Sequence, residues 1–219
     1  MRFSHVVFDL DGTVLDTLDD LANAGNAVCA AHGWPTFPRD AYRLKVGNGM
    51  PKLVERIMPA GAAADRDLFA RTFDEFCSRY DAHKEDNTRP YPGVVGMLDE
   101  LLALGARLAV LTNKDHAAAV PLIEGYFGDR FACVQGRTDE FPPKPAAPAT
   151  LRLLERLGAD PSSTLYVGDS DIDVATAHNA GLACCGVLWG FRTRDELERA
   201  GADALARTPA DIVRLVRGA

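Results

Sequence analysis

Hydrophobic and polar positions along the chain fall into two textures. Ser4 to Leu10 is an apolar run of β-branched and aromatic residues that suits a buried strand, and it breaks at Asp11-Gly12 into a turn. After Thr17 the spacing turns helical: Leu18, Leu21, Ala22, Val28 and Cys29 share one face of a helix over Leu18 to His32, which Gly33-Trp34-Pro35 ends. Asp40 to Lys45, Met50 to Met58 and Asp67 to Ala82 read as further helices between Gly and Pro breaks, and no strand-like alternation appears before Tyr91. From Tyr91-Pro92-Gly93 onward helical and strand-like segments alternate. Helices are predicted over Val94 to Leu104, Ala117 to Tyr126, Ala149 to Leu157 and Ile172 to Ala180, with strands at Arg107 to Leu111, Phe131 to Val134 and Thr164 to Val167 between them. Ala183 to Leu188, Asp195 to Ala200, Ala202 to Ala206 and a last helix at Ala210 to Arg217 repeat the theme. This alternation predicts an α/β fold, a parallel sheet with helices on both faces. The all-helical block that interrupts it predicts an inserted domain over 18–88, leaving 1–17 and 89–219 as the core.

Composition narrows the classes. At 47% apolar and 25% charged residues, 219 residues supply ample core for an ordinary globule. A formal charge of −7 argues against nucleic acid as a partner, whose phosphate backbone needs basic surface, while a small anion remains open because local cations govern a pocket. No basic-then-apolar leader and no run of membrane-spanning length occurs, so a cytoplasmic protein without membrane association is expected. The five cysteines (Cys29, Cys77, Cys133, Cys184, Cys185) lack C-x-x-C spacing and sit mostly in apolar segments, which suits reduced core thiols. The five histidines show no ligand spacing.

Open parallel sheets bind ligands beyond the carboxyl ends of their strands, so residues just after strands are the candidates. Asp9 and Asp11 lie two apart at the end of the first strand, pointing the same way. Two such carboxylates need a proton or a cation between them, although a lone D-x-D-G also fits an exposed turn. Thr112-Asn113 follows the strand Arg107 to Leu111, where a hydroxyl and an amide suit a phosphate or, equally, a helix N-cap. Lys144, on a proline-stiffened backbone, is an aimed cation or a surface lysine. Asp169, Asp171 and Asp173 open a helix after Thr164 to Val167, three carboxylates that suit a divalent cation or an acidic N-cap.

The phrase DLDGTVLDT at Asp9 to Thr17 resembles the first signature of the haloacid dehalogenase-like superfamily, the aspartate-nucleophile phosphotransferases. Thr112 resembles its second signature. Lys144-Pro145 resembles the third, with one extra residue between the prolines and the usual acidic residue missing. G-D-S-x-x-D at Gly168 to Asp173 resembles the fourth. The resemblance implies a Rossmannoid core with an inserted α-helical cap of the C1 type. It casts Asp9 as nucleophile and Asp11 as general acid and base, with Gly12 and Thr13 beside the phosphate. Thr112 would hold the phosphoryl group with Asn113 as helper, and Lys144 would offset negative charge. Asp9, the Asp11 carbonyl and Asp169 would hold Mg2+, with Asp173 supporting Lys144 or the metal's water and Asp171 facing solvent as the runner-up ligand. Members that cleave carbon–halogen bonds lack an acid at the second position, so Asp11 favours phosphoryl transfer.

Val46-Gly47-Asn48-Gly49-Met50 with Leu53-Val54-Glu55-Arg56 is similar to the cap segment of bacterial phosphoglycolate phosphatases. That similarity implies substrate contacts from Lys45, Gly47 and Asn48, with Lys45 and Arg43 as candidates for a substrate carboxylate or, equally, solvated helix residues. The implied activity is Mg-dependent hydrolysis of a small phosphorylated metabolite, 2-phosphoglycolate first, by a monomer or homodimer. Sugar phosphates, nucleotides or pyrophosphate are alternative substrates, and a phosphosugar mutase or an inactive binding protein on the same fold are alternative roles.

Overall fold

A computed structural model describes residues 1–218. They pack into two compact units, Met1–Leu15 with the chain from Pro90 on, and Asp16–Arg89.

The first unit is built on a six-stranded sheet. In chain order its strands are β1 (His5–Phe8), β4 (Arg107–Asp115), β5 (Cys133–Arg137), β6 (Thr164–Gly168), β7 (Ala183–Val187) and β8 (Ala204–Ala206), arranged β5-β4-β1-β6-β7-β8. Every pairing is parallel. Successive side chains of a strand face opposite layers. Val6, Phe8, Leu108, Val110, Leu165 and Val167 enter one core, where α4 (Val94–Ala103), α5 (His116–Phe127) and α9 (Pro209–Arg217) cover the sheet. Val7, Ala109, Leu111 and Tyr166 enter the other, under α6 (Ala147–Leu157), α7 (Asp171–Asn179) and α8 (Arg194–Ala200). Burial on both faces is why these strands read as continuous apolar runs. From β1 the chain later adds β4 and β5 on one side, then β6, β7 and β8 on the other, so strand order reverses around β1. Its carboxyl end is the switch point where open α/β sheets place ligands.

The second unit holds α1 (Leu18–Ala31), α2 (Met50–Ile57) and α3 (Arg66–His83). Leu18, Leu21, Val28, Leu53, Val54, Ile57, Phe76 and Tyr80 are buried in it. The Asp20 carboxylate is buried as well, and it accepts hydrogen bonds from Asn87 N and Nδ2 and from Thr88 N, at 2.8–3.1 Å.

Four expectations are corrected. Strands do occur before Tyr91: Leu15–Asp16 (β2) and Arg89–Pro90 (β3) pair as a two-stranded sheet, and two residues are too few to show any period. The helix expected over Asp40 to Lys45 is a 3-10 turn at Arg39–Leu44. The third large strand starts at Cys133 rather than Phe131, because Phe131 is a core side chain packed edge-on against Phe8 and Phe127 rather than a ladder residue. The strand expected to stop at Leu111 runs on to Asp115 through a break in register between those two residues.

Candidate active site

The carboxyl ends of β1, β4 and β6 bring Asp9, Asp11, Thr112, Asp169 and Asp173 into the first unit's switch point, and the loop between β5 and α6 adds Lys144. Local backbone explains how they come so close. Gly12 has φ +88°, and a Cβ there would sit 2.5 Å from Asp169 Oδ2. A Cβ on Gly190 would lie 2.3 Å from Asp169 Cβ, so the loop after β7 also reaches the cluster only through a glycine. Trp189 Nε1 ties that loop to Thr13 O at 3.0 Å, which puts the Trp189-Gly190 pair beside the site.

A buried lysine faces Asp9 and Asp173. Lys144 Nζ lies 2.8 Å from Asp9 Oδ1 and 2.7 Å from Asp173 Oδ1, and it donates to Tyr166 Oη at 3.0 Å and Leu111 O at 3.3 Å. Asn113 fixes the lysine's backbone from both sides: Lys144 N donates to Asn113 Oδ1 at 2.8 Å, and Asn113 Nδ2 donates to Lys144 O at 3.2 Å. The Lys144-Pro145 peptide is cis.

The two flanking aspartates differ in how they are satisfied. Asp173 Oδ2 accepts from Asp169 N, Ser170 N and Ser170 Oγ, closing a capping box at the start of α7, while Oδ1 takes Lys144 and Tyr166. Asp169 accepts from Phe191 N at 2.6 Å and, at the limit of 3.5 Å, from Thr13 Oγ1. Asp9 Oδ1 has an ammonium beside it but no well-directed donor, although it is buried. Burial pushes the Asp9 carboxyl up to about 7, against the pull of Lys144, and the Asp173 and Asp11 charges add to the rise. Burial, then Asp173 and Asp9, raises Asp169 well above the usual carboxylate range. Lys144 holds its proton more firmly than a free lysine, since Asp173 and Asp9 outweigh its own burial.

Asp9, Asp169 and Asp173 crowd the buried Lys144 ammonium, with the Arg192 charge acting on Asp169, so carboxylates outnumber cations in the pocket. Among the described residues, Asp9, Asp169 and Asp173 form a group whose ligand oxygens lie within 4.8 Å of one another. An all-oxygen donor set in which Asp9 Oδ1 has the Lys144 ammonium beside it but no directed donor fits a hard divalent cation. Because Asp173 is already saturated by five donors, Asp9 and Asp169 are the side chains with capacity to spare.

Sequence reasoning passed over several neighbours. Lys114 donates to both oxygens of Asp11, at 3.1 and 3.3 Å, and its backbone N donates to Thr112 Oγ1 at 3.1 Å. Its spacing of two from Thr112 along a strand was the available signal. Ser170 had its capping-box spacing to Asp173, whereas Tyr166 and the Phe191 N–H carried no signal, since a buried strand tyrosine looks like core and a backbone donor has no residue name. Asp171 is exposed, with Arg192 Nε 3.6 Å away.

The residues considered for substrate choice stand in the second unit. Lys45 Nζ donates to Arg56 O at 2.9 Å and lies 3.8 Å from the Phe37 ring centroid. Burial, together with the nearby Arg56 charge, lowers its proton affinity. Arg56 in turn donates to Lys45 O and to Asn48 Oδ1, both at 2.8 Å, bracing the loop that carries Gly47. Arg43 pairs with Asp40 at 3.4 Å. All five cysteines are free thiols, and no helix among the described residues is long and apolar enough to cross a membrane.

Residues 6–187 match the family model of haloacid dehalogenase-like hydrolases. The chain belongs to this family. Family relatives include a phosphoglycolate phosphatase of Chromobacterium violaceum, 37% identical over 99% of both chains. Another, of Caulobacter vibrioides, is 34% identical over 94% of this chain and 88% of its own. Among solved structures, a predicted phosphoglycolate phosphatase of Haemophilus somnus superposes with a TM-score of 0.90 at 28% identity, covering 98% of each chain.

Proposed function

We propose that this hydrolase is a Mg2+-dependent phosphatase that removes the phosphoryl group from a small phosphate monoester, with 2-phosphoglycolate as its preferred substrate. The observation that carries the reading is the buried set of Asp9, Asp169 and Asp173 around Lys144 at the sheet's switch point, a site short of positive charge and open to an oxygen-binding cation. Names of full-length relatives supply the substrate.

Phosphate monoesters resist hydrolysis because an anionic nucleophile and an anionic ester repel, so the protein must provide positive charge and fixed geometry. Bound between Asp9, the Asp11 carbonyl and Asp169, Mg2+ would supply charge neutralisation at the transferring group. An Asp9 oxygen attacks phosphorus as the bond from phosphorus to the ester oxygen breaks, and Asp11 gives its proton to the departing alcohol. Asp11 then takes a proton from the water that attacks the aspartyl phosphate, which releases phosphate and restores Asp9. Lys144 offsets charge on Asp9 throughout, and Asp173 with Tyr166 keeps its ammonium aimed. Thr112 Oγ1 accepts from Lys114 N, which leaves its own proton to donate to a phosphoryl oxygen, while Gly12 and Thr13 line the phosphate's path. Asn113 serves the phosphate indirectly, by holding the backbone of Lys144. The helical unit is assigned the role of cap, with Arg43, Lys45, Gly47 and Asn48 selecting the substrate's carboxylate.

The test is phosphate release from a panel of 2-phosphoglycolate, sugar phosphates, nucleotides and pyrophosphate, with Mg2+ and with a chelator. The highest kcat/KM is expected for 2-phosphoglycolate, with release abolished by chelation and independent of any bisphosphate activator. Preference for another ester would reassign the substrate, a requirement for a bisphosphate would make the protein a mutase, and no release from any ester would make it a binding protein.

A further inference from the structure

The site contains a second buried lysine whose place is not explained by charge balance at phosphorus. Lys144 serves Asp9 and Asp173, whereas Lys114 turns to Asp11 and engages both carboxylate oxygens, at 3.1 and 3.3 Å. The Lys114 side chain is only 2% exposed, while that of Asp11 is 20% exposed. The carboxylate is therefore held from its protein side and open on the other. An ammonium withdrawn from water in this way is held by its partner, and a two-point contact removes the carboxylate's freedom to turn about its last bond.

The backbone beneath Lys114 is set as firmly. Lys114 lies in the stretch between Leu111 and Asp115 where the β4–β5 register breaks, and its N–H is committed to Thr112 Oγ1. On β5, a Cβ on Gly136 would lie 2.9 Å from Lys114 O and 2.5 Å from His116 Cα, so the neighbouring strand presses directly against this segment. One residue thus fixes Asp11 through its side chain and Thr112 through its backbone.

We propose that Lys114 is a positioning residue that holds the Asp11 carboxyl group in line for proton transfer with the leaving oxygen, an inference that rests on Asp11 being the acid and base. Two buried lysines then divide the reaction, Lys144 on the side of attack and Lys114 on the side of departure. Loss of Lys114 leaves phosphorus equally open to Asp9 but lets Asp11 turn away from the alcohol. The damage falls on esters whose alcohol must be protonated as it leaves. An aryl ester such as p-nitrophenyl phosphate, whose phenolate departs without a proton, escapes it in the first half-reaction.

The experiment compares wild type, Lys114→Met, Lys114→Arg and Asp11→Asn, each with Mg2+. It reads steady-state kcat and KM for the preferred alkyl phosphate and the pre-steady-state burst of p-nitrophenol. Lys114→Met is expected to lower kcat for the alkyl ester by about 100-fold, the scale of one lost proton-transfer group, with KM within about two-fold and the burst rate within about three-fold. Lys114→Arg, which can still grip the carboxylate, is expected to recover most of the loss. Lys114→Gln gives the same comparison should Met disturb packing. A rise in KM with unchanged kcat would overturn the proposal by making Lys114 a substrate contact, and an equal loss on both esters would overturn it by making the role structural. Asp11→Asn separates the two layers: an absent bias toward the aryl ester in Asp11→Asn sinks the reading of Asp11 itself. A bias in Asp11→Asn without one in Lys114→Met sinks the role of Lys114 alone.

Discussion

Asp20 and Asp9 are both buried aspartates, one in each unit, and their surroundings are opposite. Asp20 is surrounded by donors, the N–H groups of Asn87 and Thr88 and the Asn87 amide, so its charge is fully answered within the helical unit. Asp9 has an oxygen with no directed donor, two further carboxylates nearby and a carboxyl raised to about 7. Burial of an acid is therefore not what marks a site. A saturated buried carboxylate is a structural tie, and a buried carboxylate short of donors is a place where a proton, a cation or a reacting atom belongs.

The widest separation between the two comes from Asp9→Asn. Turnover should fall to background while the cation-free protein melts no lower than wild type, because the change removes one of the crowded buried carboxylates and still leaves Lys144 its Asp173 partner. Wild-type thermal stability at unchanged activity would instead reduce Asp9 to a bystander; both are read by phosphate release and by thermal melts with a chelator.

Next in size is the linkage between cation and pH. Asp9 has a raised folded-state value, so its contribution to stability is full below the ordinary carboxylate range and is lost as pH climbs through about 7. Asp169 shifts in the same direction. Without a cation the protein should lose stability across that window. Mg2+ should restore it, raising Tm by about 5–10 °C at saturating concentration near pH 8 and by less near pH 6. Melts with Mg2+ and with a chelator at the two pH values measure this, and a cation effect that shrinks as pH rises would break the comparison.

Asp20→Ala should show the reverse of Asp9→Asn. Two backbone donors lose their partner, at a cost of about 2–3 kcal/mol or roughly 5–10 °C in Tm, while kcat stays within about two-fold. Denaturant titration and steady-state kinetics check both halves. The smallest effect is expected at Asp171, which is exposed and 3.6 Å from Arg192. Asp171→Ala should change stability by less than about 0.5 kcal/mol and kcat by less than about two-fold. A large loss of Mg2+ response there would make Asp171 a ligand.

How much of this was readable in the chain depended on range. Residues 94–217 announced themselves because apolar runs of four to eight residues and helical faces repeat in alternation, a pattern that parallel strands buried on both sides impose. The Arg107 to Leu111 run located β4 but not its continuation to Asp115, since a break in register follows from packing rather than propensity. Asp9, Asp11 and Asp169 stood out as acids immediately after apolar runs. Lys114, two residues beyond Thr112, offered only that spacing, because a lysine at a strand end looks the same whether it meets solvent or a carboxylate 103 residues away. Asn113 was readable as a polar residue near phosphate, and only the folded chain showed its amide committed to Lys144.

Local order of residues, through side-chain alternation and helical spacing, determined by itself that this chain forms a parallel sheet with an inserted helical block and which acids end its strands. Those are properties of neighbours along the backbone, and the sequence lists neighbours directly. Tertiary structure alone decided which acids are saturated and which are left wanting charge, since donors to Asp173, Asp20 and Asp11 arrive from other segments or from peptide N–H groups that no residue name reveals. Electrostatic need is set by distance through space, and distance through space is what folding creates.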